Sequence, residues 1–455
     1  MYRKNAWKKY NDKKPVMDFA EGYKDFISFA KTERLAVKKA VELLEAKGFR
    51  NAEKLEAVKP GDRIYYLNRN KNVCAFVIGK KPIIEGLRIL GAHIDSPRLD
   101  LKENPLYEDH GFAYGDTHYY GGIKKYQWVT IPLALHGVVC KKDGSTVEVN
   151  IGEDPKDPIV GITDLLVHLA ADQLTKNAAK VIEGEGLDVS LGSIPVEGEE
   201  EKEAVKANVL ALLKEKYGME EDDFISAEIE VTPAGPARDY GLDRSMVAGY
   251  GHDDRSCAYT SLMAILDMEE VEYTSCCILV DKEEVGSIGA TGAQSNFFEN
   301  TIAKLLALAG EKHPLLDARI CFENSKMLSS DVSAGFDPLY ASVSDLKNAA
   351  IFGQGLVFNK YTGRGGKGGC NDANPEYYAW IRKTMDEADV NWQSSELGKV
   401  DQGGGGTIAY ILGNYNMNVI DAGIPVHNMH APMEIVSKVD VYEAYLGYKA
   451  FLLGK

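Results

Sequence analysis

The sequence lacks any run of about 18 apolar residues, so no transmembrane helix is expected in it. It is poor in cysteine: seven residues, at positions 74, 140, 257, 276, 277, 321 and 370, with no Cys-x-x-Cys pair. An odd, unpatterned set argues against a disulfide scaffold and for a reducing cytosol, with Cys276 and Cys277 as small hydrophobes in an apolar strand. Positive charge is also short. The net charge is −16 and the pI near 5.2, which disfavours nucleic acid as a partner. The densest basic cluster, Met1–Lys14, lacks the apolar core of a signal peptide and reads as a solvated terminus. No internal repeat is present.

What is there is an ordinary globular composition, 45% hydrophobic and 26% charged over 455 residues, enough for two domains with cores of their own. Met17–Lys47 reads as helical, Arg63–Gly79 as a strand pair, and Gly86–Asp95 as an apolar strand ending in polar residues. The texture then changes. Leu101–Tyr120 is rich in turn formers and aromatics, Trp128–Cys140 and Ser145–Ile151 alternate like strands, and Thr163–Lys176 and Glu197–Lys216 read as helices. From about Tyr250 strands and helices alternate: strands at Cys276–Asp281, Ala318–Phe322 and Met417–Asp421, helices near Ser295–Gly310, Pro375–Ala388 and Val439–Leu453. This pattern predicts an α/β fold, a central mixed sheet covered by helices and interrupted by a β-rich insertion. The expected segments are 1–101, 102–245 and 246–455.

Five short motifs carry chemistry. Gly91-Ala92-His93-Ile94-Asp95-Ser96 closes a strand, where residues two apart face the same way. His93 could bind a metal with Asp95 orienting its ring, although His-x-Asp is equally a polar strand end. Gly251-His252-Asp253-Asp254 opens a helix, so either aspartate could cap it or bridge cations. Glu283 and Glu284 follow the apolar strand CCILV, where paired carboxylates are costly without a cation or a proton. If one binds metal, its neighbour can act as base. Asp331 offers a lone carboxylate. His427 and His430 share the loop PVHNMHAPME, and spacing does not choose between them. The glycine runs at 363–369 and 403–406 do not fit a phosphate loop, and Gly353-Gln-Gly355 lacks the third glycine of a dinucleotide fingerprint.

The order of these motifs, with GAHIDSPRLDLK, YYGGIKKYQW, GHDDRSCAY, DKEEVGS, SSDVSAG, GGCNDANPEY and MHAPMEI, resembles the aspartyl aminopeptidase family of metallopeptidases over nearly the whole chain. The resemblance implies a zinc-peptidase fold with an inserted dimerisation domain. It implies two zinc ions per subunit, replaceable by cobalt or manganese. His93, Asp253, Glu284, Asp331 and His430 are the implied ligands, Asp253 bridging, with Asp331 on the His93 side and Glu284 on the His430 side. Asp254 stands where relatives often have Asn. Glu283 is the implied general base and Asp95 orients His93. Lys360 lies near the place of a pocket lysine that would favour Asp or Glu. His168 would enter the neighbouring subunit's active site, and relatives assemble dimers into a dodecamer. The expected reaction is removal of the N-terminal residue of peptides in the cytoplasm, with no nucleic acid and no membrane as partners. Two alternatives stand beside it: an aminopeptidase of broader specificity, like the tetrahedral glutamyl-aminopeptidase-like enzymes, and an inactive oligomeric scaffold.

Overall fold

The computed structural model describes residues 4–197 and 202–454. It divides into two compact units, one of residues 1–96, 237–429 and 434–455 and one of residues 97–236 and 430–433. The first unit is built on a nine-stranded mixed sheet. At its centre Ser275–Val280, Arg88–His93, Lys326–Ser329 and Asn418–Gly423 run parallel. Strands buried on both faces need apolar side chains on both, and Ser275–Val280 shows it. Cys277 and Leu279 pack into one core, Cys276 and Ile278 into the other. The first core is completed by helices Lys14–Phe29, Glu33–Ala46, His252–Leu266, Pro375–Glu387 and Lys438–Leu453. The second is completed by Phe297–Leu308, Pro314–Glu323 and Ala409–Gly413.

The mixed α/β class is therefore as expected, and three local expectations are corrected. Met17–Lys47 is two helices, broken at Ala30–Thr32, where the Thr32 hydroxyl caps the second by accepting the Leu35 N–H. Ala318–Phe322 is helical, within Pro314–Glu323, and the strand comes after it at Lys326–Ser329. Thr163–Lys176 forms no α-helix; it holds short 3-10 turns at Val167–Leu169 and Gln173–Thr175.

The second unit is β-rich. Its six-stranded sheet has the order Thr146–Ile151, Leu133–Cys140, Ala227–Pro233, Arg98–Asp109, Phe112–Tyr120, Val189–Gly192. Helix Ala204–Tyr217 packs on it through Val205 and Val209; the expected helical stretch from Glu197 begins partly outside the described residues. The unit starts at residue 97 and ends at 236, against the expected 102 and 245. Its first strand is already under way at Arg98, before composition changes. Residues 237–245 belong instead to the first unit, where Arg238–Tyr240 pairs with Met246–Gly249 and that strand with Glu434–Ser437. No helix among the described residues is long and apolar enough to cross a membrane.

Candidate metal centre

The carboxyl ends of parallel strands are where open α/β sheets gather ligands, because the loops there splay apart above the sheet. Here Arg88–His93 ends at His93, Ser275–Val280 runs into the turn Glu283–Val285, and Lys326–Ser329 runs into Asp331. The fourth contribution is the start of helix His252–Leu266. Gly251, at φ +77, makes the approach to it, and a Cβ there would fall 2.1 Å from the Arg255 guanidinium and 2.9 Å from Ser96 Oγ. The Asp253–Asp254 peptide is cis, and the regular helix begins after these two residues.

Hydrogen bonds fix the geometry. His93 is buried; its Nδ1 lies 3.2 Å from Asp95 Oδ1 and 3.1 Å from the Asp95 carbonyl, and its Nε2 lies 3.2 Å from Asp253 Oδ1. Protonation at Nδ1 leaves Nε2 as the ligating atom. Glu283 Oε2 and Asp331 Oδ1 stand 3.9 and 4.0 Å from the same Nε2. Asp95 accepts the N–H groups of both Glu283 and Glu284, at 3.1 and 3.2 Å. Asp254 accepts the N–H of His93 at 3.2 Å, Ser96 Oγ donates to the Asp253 carbonyl at 2.6 Å, and Glu434 accepts the Asp253 N–H at 3.0 Å. Behind them Tyr23 hydrogen-bonds His252 Nδ1, and burial pushes His252 down to about 3, so it stays neutral.

The electrostatics call for a cation. Burial, reinforced by Asp254 and Glu283, pushes Asp331 well above the usual carboxylate range. Burial also raises Asp254 well above it, against the pull of His93 and with the push of Asp253. Burial works against a charge on His93, but hydrogen bonds to Asp253 and Asp95 carry it well above its ordinary value. Crowded carboxylates around one imidazole make a mixed nitrogen–oxygen donor set, which suits zinc. His93, Asp253 and Glu284 each offer a ligand atom within 4.8 Å of the others, and so do His93, Asp254 and Asp331.

The sequence and the fold match known proteins. The family model for the aminopeptidase I zinc metalloproteases (M18) matches residues 26–452. A probable M18 family aminopeptidase 1 of Clostridium acetobutylicum is 59% identical over 455 residues, covering 99% of this chain and 98% of that one.

The chain belongs to the M18 family.

The crystal structure of an M18 aminopeptidase from Thermotoga maritima covers 100% of both chains at 44% identity with a TM-score of 0.97. The fold extends to a solved dodecamer of mApe1 from yeast, S. cerevisiae, 20% identical, with a TM-score of 0.78 over 96% of this chain and 97% of that one. This M18 member is accordingly a zinc-dependent aminopeptidase, a hydrolase.

Of the residues singled out in the sequence, the structure gathers His93, Asp95, Asp253, Glu283, Glu284 and Asp331. Glu284 as well as Asp331 reaches His93. His430 belongs to the second unit, where its Nδ1 donates to the Gly122 carbonyl at 2.8 Å. His427 instead stacks on Phe352 and bonds the Phe336 carbonyl. His168 is exposed in the second unit, in the turn Val167–Leu169. Lys360 is not brought to the cluster. Strand Leu356–Asn359 runs antiparallel to Asn418–Gly423, so the chain moves away from the ligand-bearing end as it reaches Lys360. It also stands three strands from Arg88–His93, roughly 14 Å across the sheet. Its ammonium pairs with Asp372.

Sequence reading missed Ser96, Glu434, Tyr23 and Gly122. Ser96 and Glu434 stand inside motifs already noted, so a carboxylate four residues after His430 was a usable signal. Tyr23 carries none, being one aromatic among those of an amphipathic helix.

Proposed function

We propose that this M18 aminopeptidase removes the N-terminal residue of peptides with Glu283 as general base, in a site where His93, Asp253, Glu284 and Asp331 hold two zinc ions. His430 is the further ligand that the resemblance implies; cobalt or manganese could replace zinc. The observation that carries this reading is the convergence of His93, Asp253 and Glu284 while Glu283, one residue earlier, stays near the same imidazole outside that ligand group. When bound, zinc supplies Lewis acidity, making water acidic and polarising a carbonyl.

The chain's own residues do the rest. The Glu283 carboxylate takes the proton of the attacking water and delivers it to the leaving amine. Asp95 holds both the ring of His93 and the backbone of the Glu283-Glu284 turn, so base and ligand share one support. Surrounding carboxylates attract the free α-amine of the substrate, which selects exopeptidase over endopeptidase action.

An Asp or Glu preference gains no support from Lys360, which is engaged by Asp372. A panel of Asp-, Glu-, Leu- and Lys-terminated substrates on wild type and Lys360→Met distinguishes an acidic preference from broader specificity. The seven cysteines are free thiols, which supports a cytoplasmic setting. The yeast dodecamer and the exposed Leu165, Leu166, Val167 and Leu169 around His168 support a homo-oligomer assembled from dimers.

The deciding experiment is Glu283→Gln. It should lower kcat at least ~10²-fold, the scale of general-base loss, with zinc content unchanged by elemental analysis. Near-normal turnover, or loss of the metal, would sink the assignment, and an inert wild type with full zinc would leave the scaffold reading.

A further inference from the structure

We propose that the inserted β-rich unit holds a binding site for a small, neutral, hydrocarbon-like molecule, built wholly from that unit's residues. The sheet of this unit closes on itself. Val160 bridges Leu133 on one side, and Gly161 bridges Ser190 on the other. These two consecutive residues link strand Leu133–Cys140 back to strand Val189–Gly192 and complete a ring of β-structure. Small rings of this kind have interiors that side chains fill or that hold one ligand. Here the interior is not filled. A cavity of about 500 Å³ lies between the sheet and helix Ala204–Tyr217.

The chemistry of its wall selects the occupant. Leu135, Val149, Met219, Phe224 and Ile229 form a buried apolar surface. Ile159 and Leu212, more than half exposed, mark the mouth. Water needs two to four polar partners in a closed site, and this wall does not provide them. The polar side chains of the lining, Glu215, Lys216 and Tyr217, stand at the rim. The Tyr217 hydroxyl donates to the Asn150 carbonyl at 2.8 Å, and Lys216, the one cation of the lining, stands 3.6 Å from Asp157. With Glu215 beside it and Asp157 near it, Lys216 leaves the rim without net positive charge for a carboxylate or phosphate head group, and a neutral ligand fits best. The volume lies within the roughly 300–1,000 Å³ range of small-molecule pockets. A protein partner would need about 800 Å² of continuous face, and here Glu215 and Lys216 stand at the opening.

The test is a fluorescence titration of the full-length, zinc-loaded protein with 1-aminoanthracene, a neutral apolar fluorophore, followed by displacement with n-decanol. Saturable binding of one probe per chain is expected, with displacement by n-decanol and weaker displacement by decanoate. Val209→Phe, which fills the cavity from the helix side, should weaken binding at least tenfold while peptidase activity persists. Should that variant lose cooperative melting, Leu212→Asp at the mouth takes its place with the same expectation. Absence of saturable binding, or affinity within twofold of wild type in the folded variant, overturns the proposal. Co-sedimentation of the protein with phosphatidylcholine vesicles also overturns it, by assigning the apolar site to a bilayer.

Discussion

Asp95 Oδ2 accepts the backbone N–H of Glu284 at 3.2 Å, while Oδ1 of the same carboxylate faces His93 Nδ1 at 3.2 Å. One side chain thus ties His93, the proposed ligand, to a turn nearly 190 residues away. In Asp95→Asn the amide keeps one acceptor oxygen and presents an NH2 group to the rest. Zinc affinity should fall about 10–100-fold, as for other groups that orient ligands. Chelator competition measures it, and unchanged affinity would show that Asp95 is dispensable to the site.

The same crowding makes metal a structural element. Burial raises both Asp254 and Asp331, with Asp253 adding to the first and Asp254 and Glu283 to the second, so cation removal leaves repulsion inside the core. Chelation should lower Tm by at least ~5 °C, and zinc should restore it. A melting curve unmoved after verified metal removal contradicts this.

Gly122, from the YYGG motif, holds the His430 ring through its carbonyl, and a Cβ at that position would stand 3.4 Å from His430 Nδ1. A Cβ at that distance is ordinary contact, so the test needs a larger side chain: if His430 ligates through Nε2, Gly122→Leu should displace the ring and weaken zinc binding at least about tenfold, the lower end of the effect of an orienting group. Normal affinity in the variant would separate Gly122, or His430 itself, from the metal.

His168→Ala should reduce kcat about 10²-fold, the scale of one lost oxyanion donor, with zinc content and assembly intact. The exposure of its turn in the single chain motivates this, because a catalytic role then requires a second subunit. Mixing His168→Ala with Glu283→Gln subunits should recover activity. No recovery after verified subunit exchange would mean that His168 does not act across subunits.

Asp440 gives a pH dependence away from the cluster. Burial pushes it up to about 7, although its oxygens accept the N–H groups of Gly353 and Gly355. Its folded value lies above its unfolded one, so the native state binds more protons between about pH 4 and 7. The stability it contributes is present at low pH and lost as pH rises through about 7. Asp440→Asn does not titrate and should gain on wild type by on the order of 2 kcal/mol between pH 5 and 8. Parallel denaturant curves at the two pH values test it; a constant difference rules the titration out.

Most of the fold and much of the site were legible because buried strands and their polar ends are written locally. LRILGAHID and CCILV state both a strand and the polar end where the cluster begins. Ala318–Phe322 misled because a short apolar run suits a buried strand or a buried helix face equally. Thr163–Lys176 has helix-like spacing, yet Leu165, Leu166 and Leu169 stay exposed, with no core among the described residues to pack against. The support for Asp253 from Glu434, 181 residues away, depends on topology rather than pattern.

That topology also sets a clock. The backbone of His93 is held by Asp254, 161 residues later in the chain. At about 5–20 residues per second of synthesis, roughly 8–30 s separate the two. Throughout that interval the strand Arg88–His93 has emerged without either of its parallel neighbours, Ser275–Val280 and Lys326–Ser329. The ring-closed insertion, by contrast, has all its strands in hand before the first neighbour is made. A chain that ends before Ser275 therefore holds every strand of the insertion's sheet but lacks Glu283, Glu284 and Asp331, so the proposed centre cannot assemble until synthesis is well past its midpoint.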